Sequence, residues 1–351
     1  MTEHISVGLV GVTGYTGIEL LRLLSSHPVF DLVRATSRGE AGKELVDLFP
    51  FLRRTRYGSL RITPPDVDDL AKACNLVFLA VPHGTAMEIG AALVDRGVRV
   101  VDLSADFRLR NPEVYETWYK LPHTQTGVLR KAVFGLPELY ADRIATAELI
   151  ANPGCYPTSA ILGLYPALKE GIIDPEGIVV DAKSGTSGAG RSAQVGSLFC
   201  EVADSFRAYN LGKHRHTPEI EQELSLALGR EMTLSFNTHL LPIGRGILST
   251  MYARLTGEFD AVSLQKLYEA FYEPHPWVRV HPQGTLPQTR WVRGTMFCDI
   301  GLVVDPRTKR LIVLSAIDNL CRGASGQALA NANLMFGLDP DTGLDLPAIM
   351  P

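Results

Sequence analysis

The sequence predicts a two-domain α/β protein, with a parallel sheet covered by helices in its first part and an α+β arrangement on a largely antiparallel sheet in its second. Length is one reason: 351 residues exceed what a single hydrophobic core ordinarily supports. A second is the alternation of apolar runs and helical stretches ahead of Cys155, which is how a parallel sheet with helices on both faces reads. The third is a change of texture after Cys155, where strand-like runs outnumber helices, as in an antiparallel sheet. Domain limits are expected at 1–152 and 153–319, with a C-terminal helical segment of about 320–351 packing back on the first domain. At 46% hydrophobic and 21% charged residues, the chain can fill two cores and falls outside the disordered class.

In the first domain Ile5 to Val10 reads as a buried strand, Gly11 to Gly17 as a turn, Ile18 to Leu24 as a helix and Asp31 to Ala35 as the next strand. This is a βαβ unit. Leu76 to Val81 and Val98 to Leu103 continue the strands, with a helical stretch around Thr85 to Asp95 between them. Both end in polar loops, Pro82-His83-Gly84 and Ser104-Ala105-Asp106-Phe107-Arg108. In the second domain Ile178 to Ala182, Leu248 to Leu255, Phe297 to Val304 and Leu311 to Ala316 are strand-like. The last helical stretch, Gly326 to Phe336, is rich in Ala and Asn, and its small face suits close packing against the first domain.

Gly11-Val12-Thr13-Gly14-Tyr15-Thr16-Gly17 places glycines where a strand turns sharply, where backbone approaches a pyrophosphate, and where a helix packs close to the sheet. The spacing is G-x-x-G-x-x-G rather than the usual G-x-G-x-x-G, and an ordinary glycine-rich turn is the alternative. The flanking strand and helix favour a Rossmann-type dinucleotide site. Roughly 20 residues past such a fingerprint an NAD enzyme carries a carboxylate for the ribose 2′-hydroxyl. Here Thr36-Ser37-Arg38-Gly39 stands there. A hydroxyl and a guanidinium suit a 2′-phosphate, which a carboxylate would repel, so NADP(H) is expected over NAD(H). Gly11, Thr13, Gly14, Tyr15, Thr16, Gly17, Ser37, Arg38 and Pro82 are the expected cofactor contacts in this domain. The competing reading of Arg38 is a solvated loop residue.

Cys155 stands in Asn152-Pro153-Gly154-Cys155-Tyr156-Pro157-Thr158, ahead of an apolar run through Ala160, Ile161, Leu162 and Leu164. If that run is a helix, the thiol sits at its N-terminus, where unpaired amides and the helix dipole stabilise a thiolate. A thiolate that attacks an activated acyl group forms a thioester, which accepts hydride from NADPH and yields an aldehyde. The alternative is a small buried hydrophobe.

His214-Arg215-His216-Thr217-Pro218-Glu219 supplies the clustered histidines, just before a helix with Thr217 as its expected cap. A neutral imidazole there can take or deliver a proton; His214 is the first candidate and His216 the second. A metal site or a purely structural pair are the alternatives, and no third ligand is evident. Ser184-Gly185-Thr186-Ser187-Gly188-Ala189-Gly190-Arg191 is a second glycine-rich loop, able to present successive amides to an oxyanion, a phosphate or the nicotinamide. Ser184, Gly185, Ser187 and Gly188 are its expected cofactor contacts. Arg108 and Arg245, each beside a sharp turn, are candidate substrate clamps for phosphate and carboxylate, or else surface ion-pair partners.

The formal charge of −4 and pI near 6.2 offer no general attraction to nucleic acid or acidic membranes. Met1-Thr2-Glu3-His4-Ile5 lacks the pattern of a secretory signal, and no apolar run approaches a membrane span, so a cytoplasmic location is expected. The cysteines Cys74, Cys155, Cys200, Cys298 and Cys321 are scattered, odd in number and form no C-x-x-C pair, against a disulfide framework or a zinc ribbon. No metal is expected, and the four besides Cys155 are expected to be packing residues.

With these residues in view, the chain resembles the N-acetyl-gamma-glutamyl-phosphate reductase family of arginine biosynthesis, which is related to aspartate-semialdehyde dehydrogenase and more distantly to glyceraldehyde-phosphate dehydrogenase. The likeness runs from the glycine turn to the C-terminus. Its markers are Asn152 to Thr158, Ser184 to Arg191, His214 to Glu219, His239-Leu240-Leu241-Pro242 with Arg245-Gly246-Ile247-Leu248, and Ala316-Ile317-Asp318-Asn319-Leu320. Ser159 departs from the family, which more often has Gly or Ala there; no disturbance of the nucleophile is expected from it. The resemblance implies that Cys155 is the nucleophile, that one of His214 and His216 handles protons, that Asn319 lies near the nicotinamide, and that the protein is a homodimer or homotetramer. It implies a small-molecule acyl phosphate substrate, with inorganic phosphate released and N-acetylglutamate 5-semialdehyde formed. Two rivals are the lysine-pathway reductase of a carrier-protein-bound aminoadipyl phosphate and a noncatalytic NADP(H)-binding regulator.

Overall fold

The computed structural model of the chain describes residues 4–350. It divides into two compact units, Met1–Pro153 with Ala324–Asp345, and Gly154–Gly323 with Leu346–Pro351.

The first unit holds strands β1 (Ile5–Val10), β2 (Phe30–Thr36), β3 (Ile62–Thr63), β4 (Leu76–Leu79), β5 (Arg99–Asp102), β6 (Val133–Phe134) and β7 (Leu149–Ala151). They form one sheet in the order β3-β2-β1-β4-β5-β7-β6, parallel at every pairing. Sequential strands run outward from β1 in both directions, so β1 and β4 flank the point where strand order reverses, the place where open α/β sheets bind ligands. Residues Leu76–Leu79 are all buried, as a strand covered on both faces must be. The helix begins at Tyr15 (Tyr15–Leu24), so Tyr15, Thr16 and Gly17 form its first turn instead of belonging to the preceding loop. Strands β3, β6 and β7 are two or three residues long and leave too little periodicity to be read from sequence.

Helix Gly326–Met335 packs on helix Pro137–Ala145, on helix Tyr15–Leu24 and on β5. Its Asn and Ser side chains are the fasteners. Asn331 Nδ2 donates to Gly135 O at 2.8 Å and to Asn152 Oδ1 at 3.1 Å, and Ser325 Oγ donates to Thr16 O at 2.8 Å. The last residues part company with this helix. Ile349 N donates to Arg293 O at 2.9 Å and Arg293 Nε to Ile349 O at 3.0 Å, which places the end of the chain with the second unit.

The second unit holds β8 (Val179–Gly185), β9 (Arg207–Tyr209), β10 (Ser235–Leu241), β11 (Ile247–Arg254), β12 (Val278–Val280), β13 (Cys298–Asp305) and β14 (Arg310–Ile317). The order is β12-β13-β14-β11-β8-β10-β9, antiparallel except for β12 with β13 and β8 with β10. Buried Val180, Ala182, Met251 and Val313 alternate with partly exposed Asp181, Lys183, Thr250, Tyr252, Ile312 and Leu314, the period of two that gives a sheet one covered face. Helices Cys155–Lys169 and Ala261–Tyr272 lie on the covered face. The approach is close at Gly163, where a Cβ would overlap the end of Met251.

Candidate active site

In the first unit the glycines of the turn do different work. Gly11 has φ +90, and a Cβ there would run into the carbonyl of Ala80 at the end of β4. A Cβ on Gly17 would strike the carbonyl of Gly11 and the backbone of Val12, so its absence lets the helix meet the strand. Gly14 is different: a Cβ would meet only Gly11 O at 3.8 Å. No protein atom needs Gly14 bare, whereas a pyrophosphate approaching the amides of the helix start would. The first turn of that helix also carries no acidic side chain to neutralise its positive end.

Beside the turn lies a cavity of about 280 Å³ whose lining includes Gly11, Thr13, Thr36, Ser37, Arg38 and Pro82. The second strand and its loop thus deliver Ser37 and Arg38 to the glycine turn, which sequence spacing had linked only by analogy. Thr36 is buried, and its Oγ1 has no hydrogen-bond partner. A buried unpaired hydroxyl costs about 1–3 kcal/mol, a cost that a polar ligand in the cavity would remove. With a guanidinium, four hydroxyls and no carboxylate in its lining, the cavity fits a phosphorylated nucleotide. The Pro82 loop is held by buried Asp106, which accepts from Gly84 N at 2.6 Å, Ala86 N at 2.9 Å and Tyr115 Oη at 2.7 Å. Burial, then the nearby Asp106, pushes the Asp102 carboxyl up to about 7. Arg108 is buried, with Nε donating to Asn152 O at 2.7 Å and Nη2 to Leu103 O at 2.9 Å. Part of its guanidinium therefore braces the backbone just ahead of the turn that carries Cys155.

In the second unit Cys155 is the first residue of helix Cys155–Lys169, and Gly154 is its N-cap. The geometry is the one that favours a thiolate. Cys155 is half-buried. Gly323 packs directly against it: a Cβ at 323 would stand 2.6 Å from Cys155 Cβ and 3.1 Å from its Cα. One turn along the helix, Ser159 Oγ shares hydrogen bonds with Ser249 Oγ at 2.8 Å and Ser315 Oγ at 3.1 Å, so the departure from the family's small residue is satisfied by hydroxyls of β11 and β14. Cys74 and Cys298 are buried, as is Cys321, and burial pushes the Cys74 thiol up to about 12. Cys200 is exposed, so the packing reading does not hold for it.

The histidines gather on the residue next to Cys155. Tyr156 meets His214 at 5.3 Å and His216 at 6.0 Å between ring centroids, and Tyr209 and Phe236 also face His214. Tyr156 and Tyr209 share a hydrogen bond of 2.8 Å between their hydroxyls. Burial in this aromatic surround, reinforced by Arg215, lowers His214 to about 4, which keeps it neutral near pH 7. Its Nδ1 accepts the His216 amide at 3.1 Å, so the proton of the neutral ring resides on Nε2. The helix starts at Thr217 (Thr217–Leu228) with His216 as N-cap; Thr217 instead donates its hydroxyl to His214 O at 2.8 Å. Among the described residues no group of His, Cys, Asp and Glu could hold a metal ion.

The second glycine loop is more committed than its sequence suggests. The amides of Gly185, Thr186 and Ser187 donate to Gly246 O, Ile243 O and Gly244 O, so these three do not form an oxyanion hole. They weld the loop to the turn that carries Arg245. Asn319 completes the weld, accepting Gly246 N at 2.7 Å through Oδ1 and donating to Ser187 Oγ at 2.9 Å through Nδ2. Ser184 is buried, with Oγ donating to Gly185 O at 3.0 Å. Arg245 Nε lies 3.6 Å from Asp318 Oδ2, whose buried carboxylate also accepts from Gly294, Leu320 and Cys321 amides. Thr36, Glu219, Asp318 and Gly323 were missed by sequence reasoning. Glu219 and Asp318 fall inside quoted motifs, but Gly154, which Glu219 meets, and Gly294 and Arg245, which Asp318 meets, lie tens of residues away and carry no local signal.

Known proteins resemble the chain over nearly its whole length. Residues 6–147 match the family described as "Semialdehyde dehydrogenase, NAD binding domain", and residues 155–319 match "Semialdehyde dehydrogenase, dimerisation domain". Among solved structures, aspartate semialdehyde dehydrogenase II of Vibrio cholerae complexed with ASA matches with a TM-score of 0.70 at 16% identity over 95% of this chain and 99% of that one. Aspartate semialdehyde dehydrogenase with NADP from Candida albicans matches with a TM-score of 0.65 at 18% identity, again over 95% and 99%. These establish the fold. The curated N-acetyl-gamma-glutamyl-phosphate reductases of Desulforudis audaxviator and Desulfotalea psychrophila are 50% and 51% identical, and that of Geobacter metallireducens 52%, each over 99% of this chain and 100% of the relative. The chain belongs to the N-acetyl-gamma-glutamyl-phosphate reductase family.

Proposed function

We infer that the protein is an NADPH-dependent reductase that converts N-acetyl-L-glutamyl 5-phosphate to N-acetyl-L-glutamate 5-semialdehyde and inorganic phosphate, a step of arginine biosynthesis. The observation that carries the reading is Cys155 as first residue of a helix, with two histidines packed on the adjoining Tyr156.

The Cys155 thiolate attacks the acyl carbon. As the carbon–sulfur bond forms, the bond to the phosphate oxygen breaks and phosphate departs, leaving a thioester. The glycine turn would hold NADPH, with Ser37 and Arg38 toward its 2′-phosphate, and the chemistry it would supply there is hydride for reduction of the thioester. Collapse then returns the thiolate and releases the aldehyde. The hydrogen bond into His214 Nδ1 leaves that ring a donor at Nε2, which suits it to steady a developing oxyanion; His216 is accordingly the better candidate to take the thiol proton. Arg245, aimed by Asp318, is the proposed carboxylate clamp, and Arg108 the phosphate contact. Asn319 would hold the Ser184–Arg191 loop against the nicotinamide.

The assembly is proposed to be a homodimer or homotetramer. The partly exposed face of the second sheet, with Tyr252, Ile312 and Leu314, offers an apolar contact surface. No helix of the described residues is long and apolar enough to cross a membrane, and we place the enzyme in the cytoplasm. No observation favours the aminoadipyl substrate or a noncatalytic role. The test is Cys155→Ala, expected to abolish phosphate-dependent oxidation of the semialdehyde by NADP+. Activity retained by that variant would remove the nucleophile assignment.

A further inference from the structure

Glu219 is the third residue of helix Thr217–Leu228 and is buried to 1% exposure. A glutamate at that position ordinarily turns back to accept the amide of its own N-cap. Here the N-cap is His216, and its amide is taken by His214 Nδ1 at 3.1 Å. The Oε1 of Glu219 accepts the amide of Gly154 at 2.7 Å, a residue 65 positions away. Gly154 is the N-cap of the helix that begins with Cys155, and its carbonyl accepts both the amide and the hydroxyl of Thr158 at 3.0 Å. The nucleophile turn is thus held at both ends of one residue. One end is fastened to its own helix and the other to the helix that follows the histidines.

We propose that Glu219 is a positioning residue, which keeps the Cys155 thiol in register with His214 and His216 by tying the Gly154 amide to the helix that follows the histidines. This rests on the reading of Cys155 as the nucleophile. Tyr156 makes the companion link by ring contact with both histidines, so the turn has one polar and one apolar attachment to the same segment. The polar one alone is directional, because a hydrogen bond sets the angle of the peptide that a ring contact leaves free to slide. Charge is not the reason for the carboxylate, since an anion beside this helix start opposes a thiolate. Reach is.

Two substitutions separate these properties. Glu219→Asp keeps the charge but is one methylene too short to meet Gly154, whereas Glu219→Gln keeps the reach and an acceptor oxygen without the charge. Misplacement of reacting groups by about 1 Å costs on the order of 10²-fold in rate. The Asp variant is therefore expected to lose about 10- to 100-fold in kcat for phosphate-dependent semialdehyde oxidation, with KM for NADP+ unchanged. The Gln variant should stay within about threefold of the parent in kcat, and its Cys155 should be alkylated by iodoacetamide at a lower pH than in the parent. Thermal unfolding of each variant verifies the fold. Any other ordering of the two variants overturns the proposal, including equal activity in both. Failure of the underlying reading is seen separately, as activity surviving in Cys155→Ala.

Discussion

Gly323 gives the sharpest handle on Cys155 as the proposed nucleophile. Replacing it by Ala introduces a methyl 2.6 Å from Cys155 Cβ, 3.1 Å from Cys155 Cα and 3.3 Å from Ile317 Cδ1. Ordinary van der Waals contact begins at 3.4 Å, so the nearest pair must separate by about 0.8 Å, and more for relaxed packing. The atoms met on Cys155 are backbone and Cβ rather than the tip of a flexible side chain. Relief therefore comes from moving the start of the nucleophile helix or the turn at 323. The stability cost of such overpacking is about 1–3 kcal/mol, tolerable in a chain of this size. The catalytic cost is larger, because a displacement near 1 Å lowers the rate by on the order of 10²-fold. The assay is steady-state oxidation of the semialdehyde with NADP+ and phosphate, run beside fluorescence titration of NADPH. Gly323→Ala is expected to lower kcat about 100-fold and leave the nucleotide dissociation constant unchanged. A folded variant with kcat within about twofold of the parent would refute the reasoning, since the helix start would then have absorbed the methyl without moving the thiol.

Two further outcomes follow from other sites. His27 is buried, stacked on Phe30, and lowered by burial from 6.5 to about 4. Because the unfolded chain binds the proton more readily, stability is full above pH 6.5 and is lost as pH falls toward 4, by about 2 kcal/mol at pH 5 and about 3 kcal/mol at pH 4. Denaturation in a Trp277→Phe, Trp291→Phe background, where Trp118 alone reports on the first unit, should show this slope, and His27→Asn should flatten it; equal slopes would rule the histidine out. Arg38→Ala should weaken NADPH and 2′,5′-ADP binding by roughly 10- to 100-fold, the worth of one charge-assisted hydrogen-bond contact, and leave NADH nearly unaffected. Equal affinity of the unmodified protein for NADH and NADPH would show that Arg38 does not read the phosphate.

Much of the site is legible in the sequence because its parts are local. The glycine turn, the run from Asn152 to Thr158 and the pair at His214 and His216 each depend on residues that are chain neighbours, whose conformations are set by φ preferences and helix signals. The long alternating strands of the second unit were visible for the same reason. Strand β10 was not read, although its odd and even residues alternate in burial; polar Asn237, Thr238 and His239 conceal its periodicity, since Thr238 is buried by donating to Tyr209 O at 2.6 Å. Which amides of the Ser184 loop are already committed is not legible either, because nothing near Gly185, Thr186 and Ser187 in sequence announces the carbonyls of Gly246, Ile243 and Gly244 that take them.

Residue order by itself determined the class of each half of the chain, the glycine turn with the run from Thr36 to Gly39 as its partner, and a cysteine at a helix start. Those are properties of short segments, and short segments act through backbone preference and period. Only the tertiary structure decided that Arg38 and Thr36 share a cavity with Gly11, that His214 gives up Nδ1 to a backbone amide, and that Glu219 reaches Gly154. Each of these is a single directional contact between distant segments, made or lost by an ångström, and no pattern along the chain encodes a distance across it.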